Sequence, residues 1–524
     1  HYGVNACLMP LVAVHGLAVT TVEGIGSTKT KLHPVQERLA KAYGTQCGFC
    51  SPGFVMSMYT LLRNYPEPSM TQIETALQGN LCRCTGYRAI LAGFRTFSKE
   101  WTCEEGENCC QNEKLPDGES KVCTKTFDAS EFAVYDPTQD PIFPSELQLD
   151  VTYQTQSICF KSPNVDWYRP NSLDEVCQLK QQYPDAIFTV GATSVGRYIR
   201  NSQSKKVVIC LTNVKGLDSI TTTDTCIEAG ATVTLSSLYE FIEIQASKSE
   251  GMRKAGLESI LDMLHVVGGE QLRNVASLGS NLASSGSIFD ICTMMIAIGA
   301  TVDVYNLLAN STERRDVLKL YKENGKSALE SHELITAVQI PFMEQDEHLY
   351  WHKHAERTDL VVATVNSAMR VKFNPNSNNI KDLVLCYGGI ANKTVIANQV
   401  REQTRGREWT DGIVSFVSGL LGDELTVSLP SVGGSTNYKR SLTASIFLKF
   451  YINVQSSLHG KESEVIHDLA SVRHKPLSSG SQIFEISPID QNGIDYVGQP
   501  VVHKSALEHA TGEAVFCDDI PTYS

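Results

Sequence analysis

The sequence of 524 residues lacks a hydrophobic run long enough to cross a bilayer. The longest strongly apolar run, residues 291–302, is bracketed by Asp290 and Asp303 and falls short of the roughly 18–20 residues that a transmembrane helix needs. It therefore predicts a buried core segment. The sequence also lacks an excess of positive charge, because 58 acidic and 45 basic residues give a formal net charge of -13. Such a surface repels nucleic acid and anionic membranes, so neither is expected as a partner.

Cysteines are numerous, yet their distribution lacks the density of a disulfide-stapled secreted domain. The chain has 16 cysteines in 524 residues, whereas a secreted scaffold is short and rich in cysteine throughout. Four of them form two tight pairs, Cys47 with Cys50 and Cys82 with Cys84. The scattered cysteines are expected to be inert core residues. This distribution is typical of an intracellular metalloprotein.

The length of the chain and its changing pattern predict several domains. A single core rarely grows beyond about 250–300 residues, and no internal repeat or low-complexity tract is visible. Helical signals fill residues 34–99, with Pro34 at a first helical position, a second start at Ser51 and a capping box in TQIE at residues 71–74. A β-rich run at residues 18–22 precedes them and predicts a strand followed by a turn.

Beyond residue 100 the pattern changes twice. Residues 101–150 are polar, show no period and predict a linker. From Trp167 onward, strands at residues 186–190 and 207–211 alternate with helical stretches, which indicates an α/β domain. The elements predicted further along are two strands joined by the turn NPNSNN within residues 350–390, helices at 401–421 and 441–458, and a polar connection at 460–481.

The two cysteine pairs have the spacing of a metal site. CGFC (residues 47–50) precedes one predicted helix and CRC (residues 82–84) follows the next, with 31 residues between the pairs. Two antiparallel helices of similar length would return the chain to its starting point, so the pairs can face one another. Four thiolates suit either a tetrahedral zinc ion or a [2Fe–2S] cluster. Spacing alone favours zinc slightly, because structural zinc sites are commoner, and it leaves both possibilities open.

The residues around these pairs resemble a known family. GTQCGFCSPG (residues 44–53) and GNLCRCTGYR (residues 79–88) closely resemble the xanthine dehydrogenase and aldehyde oxidase family of molybdenum hydroxylases. The resemblance implies a [2Fe–2S] cluster near the molybdenum cofactor, with Gln46 in contact with the molybdopterin, and makes zinc a minor alternative. The implied cluster ligands are Cys47, Cys50, Cys82 and Cys84.

Both ends of the sequence resemble other parts of the same family. HYGVNAC (residues 1–7) resembles the segment whose cysteine is the last of four ligands to a second [2Fe–2S] cluster, a role that the resemblance gives to Cys7. The other three ligands are expected upstream of His1, so Cys7 alone holds no cluster. YVGQP (residues 496–500) through TGEAVFCDDIP (residues 511–521) resembles the opening of the molybdenum domain. The catalytic glutamate and the substrate pocket are therefore expected further along, outside this chain.

Two glycine-bounded turns suit a nucleotide. AIFTVGATSVG (residues 186–196) runs from a strand into a turn whose N–H groups and hydroxyls suit a diphosphate, although it is neither a GxGxxG fingerprint nor a Walker loop. GGEQLRNVASLGSN (residues 268–281) supplies the second turn. Both resemble the FAD-binding loops of the family. The FAD contacts implied by that resemblance are Phe188, Thr189, Val190, Gly191, Ala192, Thr193, Ser194, Val195, Ser277, Leu278, Gly279, Ser280, Asn281, Asp290, Ile335 and Lys353.

Two positions depart from the flavin pattern of the family. Ser280 stands where a glycine is usual, and residues 287–289 lack the proline and serine that usually precede the aspartate. A Cβ at Ser280 would crowd the cofactor if the backbone approached it closely or if φ were positive. FAD binding is still expected, and the alternative is a flavin-type fold that has lost its flavin.

The residues around Lys353 bear on metals and on the electron acceptor. His352 and His354 flank this lysine on a predicted strand. Because no third ligand is nearby, we expect hydrogen-bonded or solvated histidines rather than a metal site.

Leu360, in the loop HAERTDLV, and Val267 resemble the aldehyde oxidases, which pass electrons to oxygen. The first hundred residues resemble the xanthine dehydrogenases more closely, so NAD and oxygen both stay open as acceptors.

The resemblance implies an α+β multidomain fold. It comprises a helical [2Fe–2S] bundle, an α/β FAD-binding domain of the PCMH type, and a C-terminal α+β flavoprotein subdomain. The expected boundaries are a ferredoxin-like remnant at residues 1–30, the helical domain at 31–100, a linker at 101–160, the FAD-binding domain at 161–345, the flavoprotein subdomain at 346–460, a second linker at 461–494, and the start of a molybdenum-binding domain at 495–524.

The implied function is that of an oxidoreductase with [2Fe–2S] and FAD cofactors and a molybdopterin in the complete enzyme. Such an enzyme hydroxylates a purine, an N-heterocycle or an aldehyde, and the resemblance further implies a homodimer in the cytoplasm or peroxisome. Two alternatives stay open. The chain is a separate electron-transfer subunit that pairs with a molybdenum subunit, or it is a non-enzymatic, zinc-stabilised binding protein.

Overall fold

The computed structural model describes residues 1–101, 127, 131–196, 205–284, 290–427, 434–460, 497 and 501–522. Residues 102–126 of the linker predicted at 101–150, residues 461–481 of the connection predicted at 460–481, and residues 285–289 before Asp290 lie outside this described part. The chain divides into two units. The first comprises His1–Gly3, Leu17–Leu149 and Pro476–Ser524, and the second comprises Val4–Gly16 and Asp150–Lys475.

The secondary structure is a mixture of helices and strands. The described α-helices are α1 (Pro34–Lys41), α2 (Ser51–Asn64), α3 (Met70–Ala76), α4 (Arg88–Arg95), α5 (Ser145–Leu149), α6 (Thr152–Thr155), α7 (Leu173–Gln182), α8 (Leu235–Ser247), α9 (Gly251–His265), α10 (Glu270–Arg273), α11 (Leu278–Ala283), α12 (Asp290–Ile298), α13 (Asn398–Thr404), α14 (Gly412–Glu424), α15 (Thr436–His459) and α16 (Ala506–Thr511). The described strands are β1 (Ile158–Lys161), β2 (Val165–Arg169), β3 (Ile187–Thr189), β4 (Lys206–Cys210), β5 (Ile220–Thr222), β6 (Cys226–Gly230), β7 (Thr301–Asn306), β8 (Ser311–Asp316), β9 (Glu333–Pro341), β10 (Glu347–His354), β11 (Val365–Phe373), β12 (Ile380–Gly388) and β13 (Val395–Ile396). None of these helices is long and apolar enough to cross a membrane.

Short helices form the core of the first unit. α1 begins at Pro34 as predicted, because the His33 ring accepts a hydrogen bond from the backbone of Val35 and the Gln36 side chain accepts one from the backbone of His33. This reciprocal arrangement is a capping box. α2 also begins at the predicted Ser51.

Three details of the first unit differ from the prediction. Residues 18–22 do not form a strand, and a single 3₁₀ turn covers Val22–Gly24 instead. α3 is capped by Ser69 with Gln72, two residues before the predicted box, because the Ser69 hydroxyl accepts the backbone N–H of Gln72. The two helices between the cysteine pairs have 14 and 7 residues, so they are not of similar length.

A helix from the far end of the chain completes this core. Ala506 and Ala510 of α16 are fully buried in the cluster that contains Val35, Leu39 and Phe54. The backbone N–H of Thr28 donates to the carboxylate of Glu513 at 2.8 Å, just beyond α16.

The described residues of the second unit form three sheets. The first has the strand order β1-β2-β4-β3, with β3 and β4 parallel, and these two strands confirm the predictions at residues 186–190 and 207–211. The second sheet is antiparallel, in the order β5-β6-β9-β7-β8. α8, α9 and α12 contribute apolar residues to one core with this sheet.

The third sheet is antiparallel, in the order β10-β11-β12-β13, and lies between two groups of helices. α9 and α12 pack on one face, and α14 and α15 share a core with the other. β11 and β12 confirm the predicted strand–turn–strand. The single helix predicted at residues 401–421 is wrong. It breaks into α13 and α14 because Gly406 has φ +76° and its N–H donates to the carbonyl of Ile380.

Candidate cofactor sites

The four paired cysteines come together in the first unit as two thiol pairs. Cys47 and Cys50 lie just before α2, and Cys82 and Cys84 lie between α3 and α4. The Cys50 thiol lies close enough to that of Cys82 to have its pKa shifted by it, and the Cys84 thiol is influenced in the same way by that of Cys47. Each pair therefore contains one cysteine from each motif. Cys82 is buried and Cys50 half-buried, whereas Cys47 and Cys84 are exposed, so one pair is internal and the other faces outward.

The backbone between Cys47 and Cys50 is held by tight packing. Gly48 has φ +81°, and a Cβ there would overlap the imidazole ring of His509, from the segment that contains α16. Nδ1 of the same ring lies 3.0 Å from the Thr45 hydroxyl. That hydroxyl also accepts a hydrogen bond from the Ser51 hydroxyl at 2.8 Å. The loop that carries the first cysteine motif is thus supported by a residue that sequence reasoning missed.

Hydrogen bonds from Thr85 act on the inner thiol pair. The Thr85 hydroxyl lies 3.0 Å and its backbone N 3.4 Å from Cys82 Sγ. Burial alone would raise the pKa of Cys82, but these hydrogen bonds outweigh it and the pKa is lowered. Burial, with the hydrogen bond to Cys82, raises the pKa of Cys50 to about 12. Of the two thiols in the inner pair, that of Cys82 is therefore the more acidic.

This geometry fits two irons better than one zinc ion. In a [2Fe–2S] cluster each of two irons takes two protein ligands, which matches two separate pairs. A structural zinc ion needs four ligands that converge on one point. The thiol pairs and the hydrogen bonds donated to sulfur therefore suit a two-iron cluster.

The remaining residues expected near iron–sulfur clusters are exposed. Gln46 is exposed beside Cys47 in the first unit. Cys7 lies in the second unit, within the turn in which the N–H groups of Leu8 and Met9 donate to the carbonyl of Asn5. Its thiol is exposed as well.

The two predicted flavin loops touch one another in the second unit. β3 leads into the first loop, and a Cβ on Gly191 would overlap the backbone carbonyl of Val275 in the second loop. Ala192 follows with φ +54°, a conformation that costs roughly 1–2 kcal/mol for a residue with a Cβ. A small cavity separates these loops from residues 4–9, with Leu8 among its lining residues. The packing of residues 4–9 against the flavin loops was not foreseen from sequence.

The second loop runs into α11. Ser277 caps this helix, because its hydroxyl accepts the backbone N–H of Ser280 at 3.2 Å and donates to the Ser280 hydroxyl at 2.8 Å. Ser280 is not among the residues with positive φ, so its Cβ causes no backbone strain. The buried Asn281 Oδ1 has no hydrogen-bond partner among the described residues, and neither has Thr232 Oγ1. Because buried polar atoms are normally paired, these two atoms fit a site that a ligand completes.

A buried ion pair joins the flavin region to the third sheet. Lys353 Nζ donates to Asp290 Oδ2 at 2.8 Å and to the carbonyl of Val266 at 3.3 Å. The Asp290 and Lys353 side chains are only 7% and 6% exposed. Burial raises the pKa of Asp290, while Lys353 and the Asn366 amide oppose that shift. Both expected FAD contacts are therefore brought together, at the first turn of α12 and in β10.

The other residues flagged near the flavin have distinct environments. Ile335 is buried in β9 and packs in the core. His352 is mostly buried and stacks on Tyr350, and burial lowers its pKa to about 4. His354 Nε2 lies 2.6 Å from the Tyr438 hydroxyl. The two histidines thus have a stacking partner and a hydrogen-bond partner, respectively.

Three parts of the sequence match known protein families. Residues 21–95 match the family described as [2Fe-2S] binding domain. Residues 161–343 match FAD binding domain in molybdopterin dehydrogenase, and residues 350–454 match CO dehydrogenase flavoprotein C-terminal domain. These matches confirm the expected fold class: an iron–sulfur domain, a FAD-binding domain and a flavoprotein C-terminal domain of mixed helix and sheet.

Curated relatives align with the chain from end to end. A xanthine dehydrogenase of Calliphora vicina is 38% identical over 538 residues, and aldehyde oxidase 4 of Mus musculus is 37% identical over 536. Each alignment covers 99% of this chain and 40% of the relative. A solved chain of quinoline 2-oxidoreductase from Pseudomonas putida 86 is 20% identical with a TM-score of 0.47, over 56% of this chain and 98% of that one. The chain spans about two fifths of the length of the curated relatives it matches.

Proposed function

We propose that this chain, which is similar throughout to part of the xanthine dehydrogenases and aldehyde oxidases, is the electron-transfer portion of a molybdenum hydroxylase. One observation carries the proposal. The chain combines four cysteines in two facing thiol pairs with two touching nucleotide-type loops and a buried Asp290–Lys353 pair. A plain binding protein has no need of both arrangements.

The cysteines of the first unit would hold a [2Fe–2S] cluster. Cys50 and Cys82 would ligate the inner iron, and Cys47 and Cys84 the outer one, in keeping with their pairing and exposure. Gln46, exposed beside the outer pair, would contact the molybdopterin of the complete enzyme. Cys7 would be one of four ligands to a second cluster.

The loops of the second unit would hold FAD. Asn281 and Thr232 offer buried polar atoms that have no partner among the described residues, and Asp290 with Lys353 offers a fixed charge pair. The residues proposed to line the FAD are Phe188, Thr189, Val190, Gly191, Ala192, Thr193, Ser194, Val195, Ser277, Leu278, Gly279, Ser280, Asn281, Asp290, Ile335 and Lys353.

When bound, the cluster and the FAD would supply one- and two-electron redox chemistry that no protein side chain provides. The chain's own part is to position these groups and to tune their potentials. The complete enzyme would hydroxylate a purine, an N-heterocycle or an aldehyde and reduce NAD or oxygen. We further propose that it is a homodimer located in the cytoplasm or the peroxisome.

A visible absorption spectrum with metal and flavin analysis of the purified chain tests this proposal. We expect roughly two irons from the cluster at the four cysteines, with about one FAD. Zinc without iron, together with no flavin absorption, would contradict the proposal and favour a zinc-stabilised binding protein. For any serine substitution of the four paired cysteines, Cys159→Ser is the matched control, because Cys159 is an exposed cysteine of β1 outside both sites.

A further inference from the structure

A row of buried polar side chains continues from the Lys353–Asp290 pair into the protein core. The Asn366 amide Nδ2 donates to Asp290 Oδ1 at 2.7 Å. Thr293 Oγ1 donates to Asn366 Oδ1 at 2.9 Å, and Thr394 Oγ1 lies 3.4 Å from Thr293 Oγ1. Asn366 and Thr293 are completely buried, and Thr394 is 3% exposed.

The secondary structure explains why these groups meet. Asp290 and Thr293 are three residues apart on α12, so they lie on one face of the helix. Lys353 and Asn366 are direct partners across β10 and β11. The helix therefore places its two polar side chains over one cross-strand pair. Each Asp290 carboxylate oxygen receives one donor, Oδ1 from Asn366 and Oδ2 from Lys353.

Thr293 determines which way the Asn366 amide faces. Its hydroxyl donates to Oδ1, which leaves Nδ2 to face Asp290. A flipped amide would set an oxygen against the carboxylate and an NH₂ group against the hydroxyl. An unpaired buried polar group is destabilising, so the observed orientation is preferred. The row thus fixes the plane of the Asp290 carboxylate.

Lys353 has a donor to spare. An ammonium group has three N–H donors, and Asp290 and the carbonyl of Val266 accept two of them. No third acceptor for Lys353 occurs within the described part of the chain. A bound ligand with an acceptor group would complete this set.

We propose that Asn366, oriented by Thr293, is a positioning residue that holds the Lys353–Asp290 pair so that the ammonium group raises the midpoint potential of bound FAD. The inference rests on the proposed function, since it needs FAD at this site. A fixed positive charge beside a flavin favours its reduction, because reduction adds negative charge there. Asn366 acts through Asp290 and Lys353 without contacting FAD itself.

Redox titration of the flavin absorbance tests this inference. Asn366→Leu replaces the amide by an apolar side chain of similar size, which removes the donor to Asp290. We expect the ratio of reduced to oxidised flavin at a fixed potential to fall about tenfold, equivalent to about 30 mV for a two-electron couple. Thr293→Val removes only the hydroxyl that orients the amide, and we expect a fall of about threefold.

Thr394→Val is the matched control. It also removes a buried hydroxyl, but from the far end of the row, where the contact is longest. We expect a comparable loss of thermal stability with an unchanged potential. A merely structural role for Asn366 would lower the stability of all three variants and leave all three potentials at the wild-type value, and that result would overturn the inference.

The outcomes separate this inference from the proposed function. If the wild-type chain binds no FAD, the proposed function fails, and the inference fails with it. If the wild type binds FAD and the Asn366→Leu and Thr293→Val potentials match the wild type, only the inference fails. Should Asn366→Leu fail to fold, Thr293→Val decides alone, because valine has nearly the shape of threonine.

Discussion

The two candidate cofactor sites are built in opposite ways. At the cysteine site, two of the four thiols are exposed, and the loops that carry them connect short helices. At the flavin site, Asp290 and Lys353 are buried and paired with each other, and Asp290 also accepts a hydrogen bond from Asn366. Thiol–thiol contacts contribute little stability by themselves, whereas satisfied buried networks make a site rigid.

The difference predicts how each region responds to loss of its cofactor. Metal binding and folding are coupled where a site scarcely forms without the ion. We therefore expect the loops of the first unit to loosen when iron is removed. The second unit has its own extensive core and should stay folded without FAD.

The largest expected effect is that of Cys82→Ser. Cys82 is the buried cysteine of the inner pair and receives both hydrogen bonds from Thr85. Loss of this ligand should abolish cluster binding, so the iron content falls to near zero while the FAD content stays unchanged. Iron and flavin analysis measures both. Full iron retention in this variant would show that the thiol pairs are not the cluster site.

Gly191→Ala should have the next largest effect, on the second unit. The added Cβ would overlap the backbone carbonyl of Val275, so the two flavin loops must separate. We expect a loss of roughly 3 kcal/mol or more, in the range of severe overpacking, and at least tenfold weaker FAD binding. Gly196→Ala is the control, because nothing lies within 4 Å of its Cβ. Equal FAD affinity in the two variants would contradict the close approach of the loops.

Gly48→Ala tests the packing of the cysteine loop. Gly48 has φ +81° and lies against the His509 ring, whereas Gly86 has φ +63° and open space around it. The positive φ alone costs roughly 1–2 kcal/mol for alanine, so Gly86→Ala measures strain alone. Gly48→Ala should cost about 1 kcal/mol more from overpacking. Denaturant unfolding of the iron-loaded protein gives both values, and equal losses would mean that His509 does not constrain the loop.

The smallest expected effect at neutral pH comes from His352→Phe. Burial lowers the pKa of His352 to about 4, so the unfolded chain binds its proton more readily than the folded one. The contribution of neutral His352 to the free energy of unfolding is complete above pH 6.5 and is lost as the pH falls towards 4. At pH 5 the free energy of unfolding should therefore be lower by about 2 kcal/mol. Phenylalanine can keep the stacking on Tyr350 and binds no proton, so His352→Phe should remove this loss.

Unfolding at pH 5 and pH 7.5 measures this effect. A variant as acid-sensitive as the wild type would show that other groups cause the acid sensitivity of the second unit. His348 is the nearest alternative, since burial lowers its pKa as well.

Local signals predicted well the parts of the fold that depend on local chemistry. Pro34 and Ser51 mark helix starts because proline and small polar residues stabilise a first turn wherever they occur. The spacing of the two cysteine pairs predicted that they lie close together, because two helices separate them.

Errors arose where tertiary contacts override local preference. Residues 18–22 have β-type side chains, but no strand in the described part of the chain pairs with them, so they stay irregular. The break between α13 and α14 follows from a backbone bond between Gly406 and Ile380, which helical periodicity does not reveal.

The buried polar row and the His509 support escaped sequence reasoning for a related reason. Thr293 and Asn366 are 73 residues apart, and each alone resembles an ordinary surface residue. His509 and Thr45 are separated by 464 residues. Only the register of β10 against β11, or the docking of α16, reveals such partners.

The docking of α16 also bears on the order of events during synthesis. Ala506 and Ala510 fill the core formed by residues near Val35 and Phe54. They emerge from the ribosome about 450 residues later, roughly 20–90 s at 5–20 residues per second. During that interval the nascent helical domain has an uncovered apolar face and an unsupported cysteine loop. Cluster insertion is therefore expected to be completed after translation has passed residue 510, when the second unit has already been synthesised.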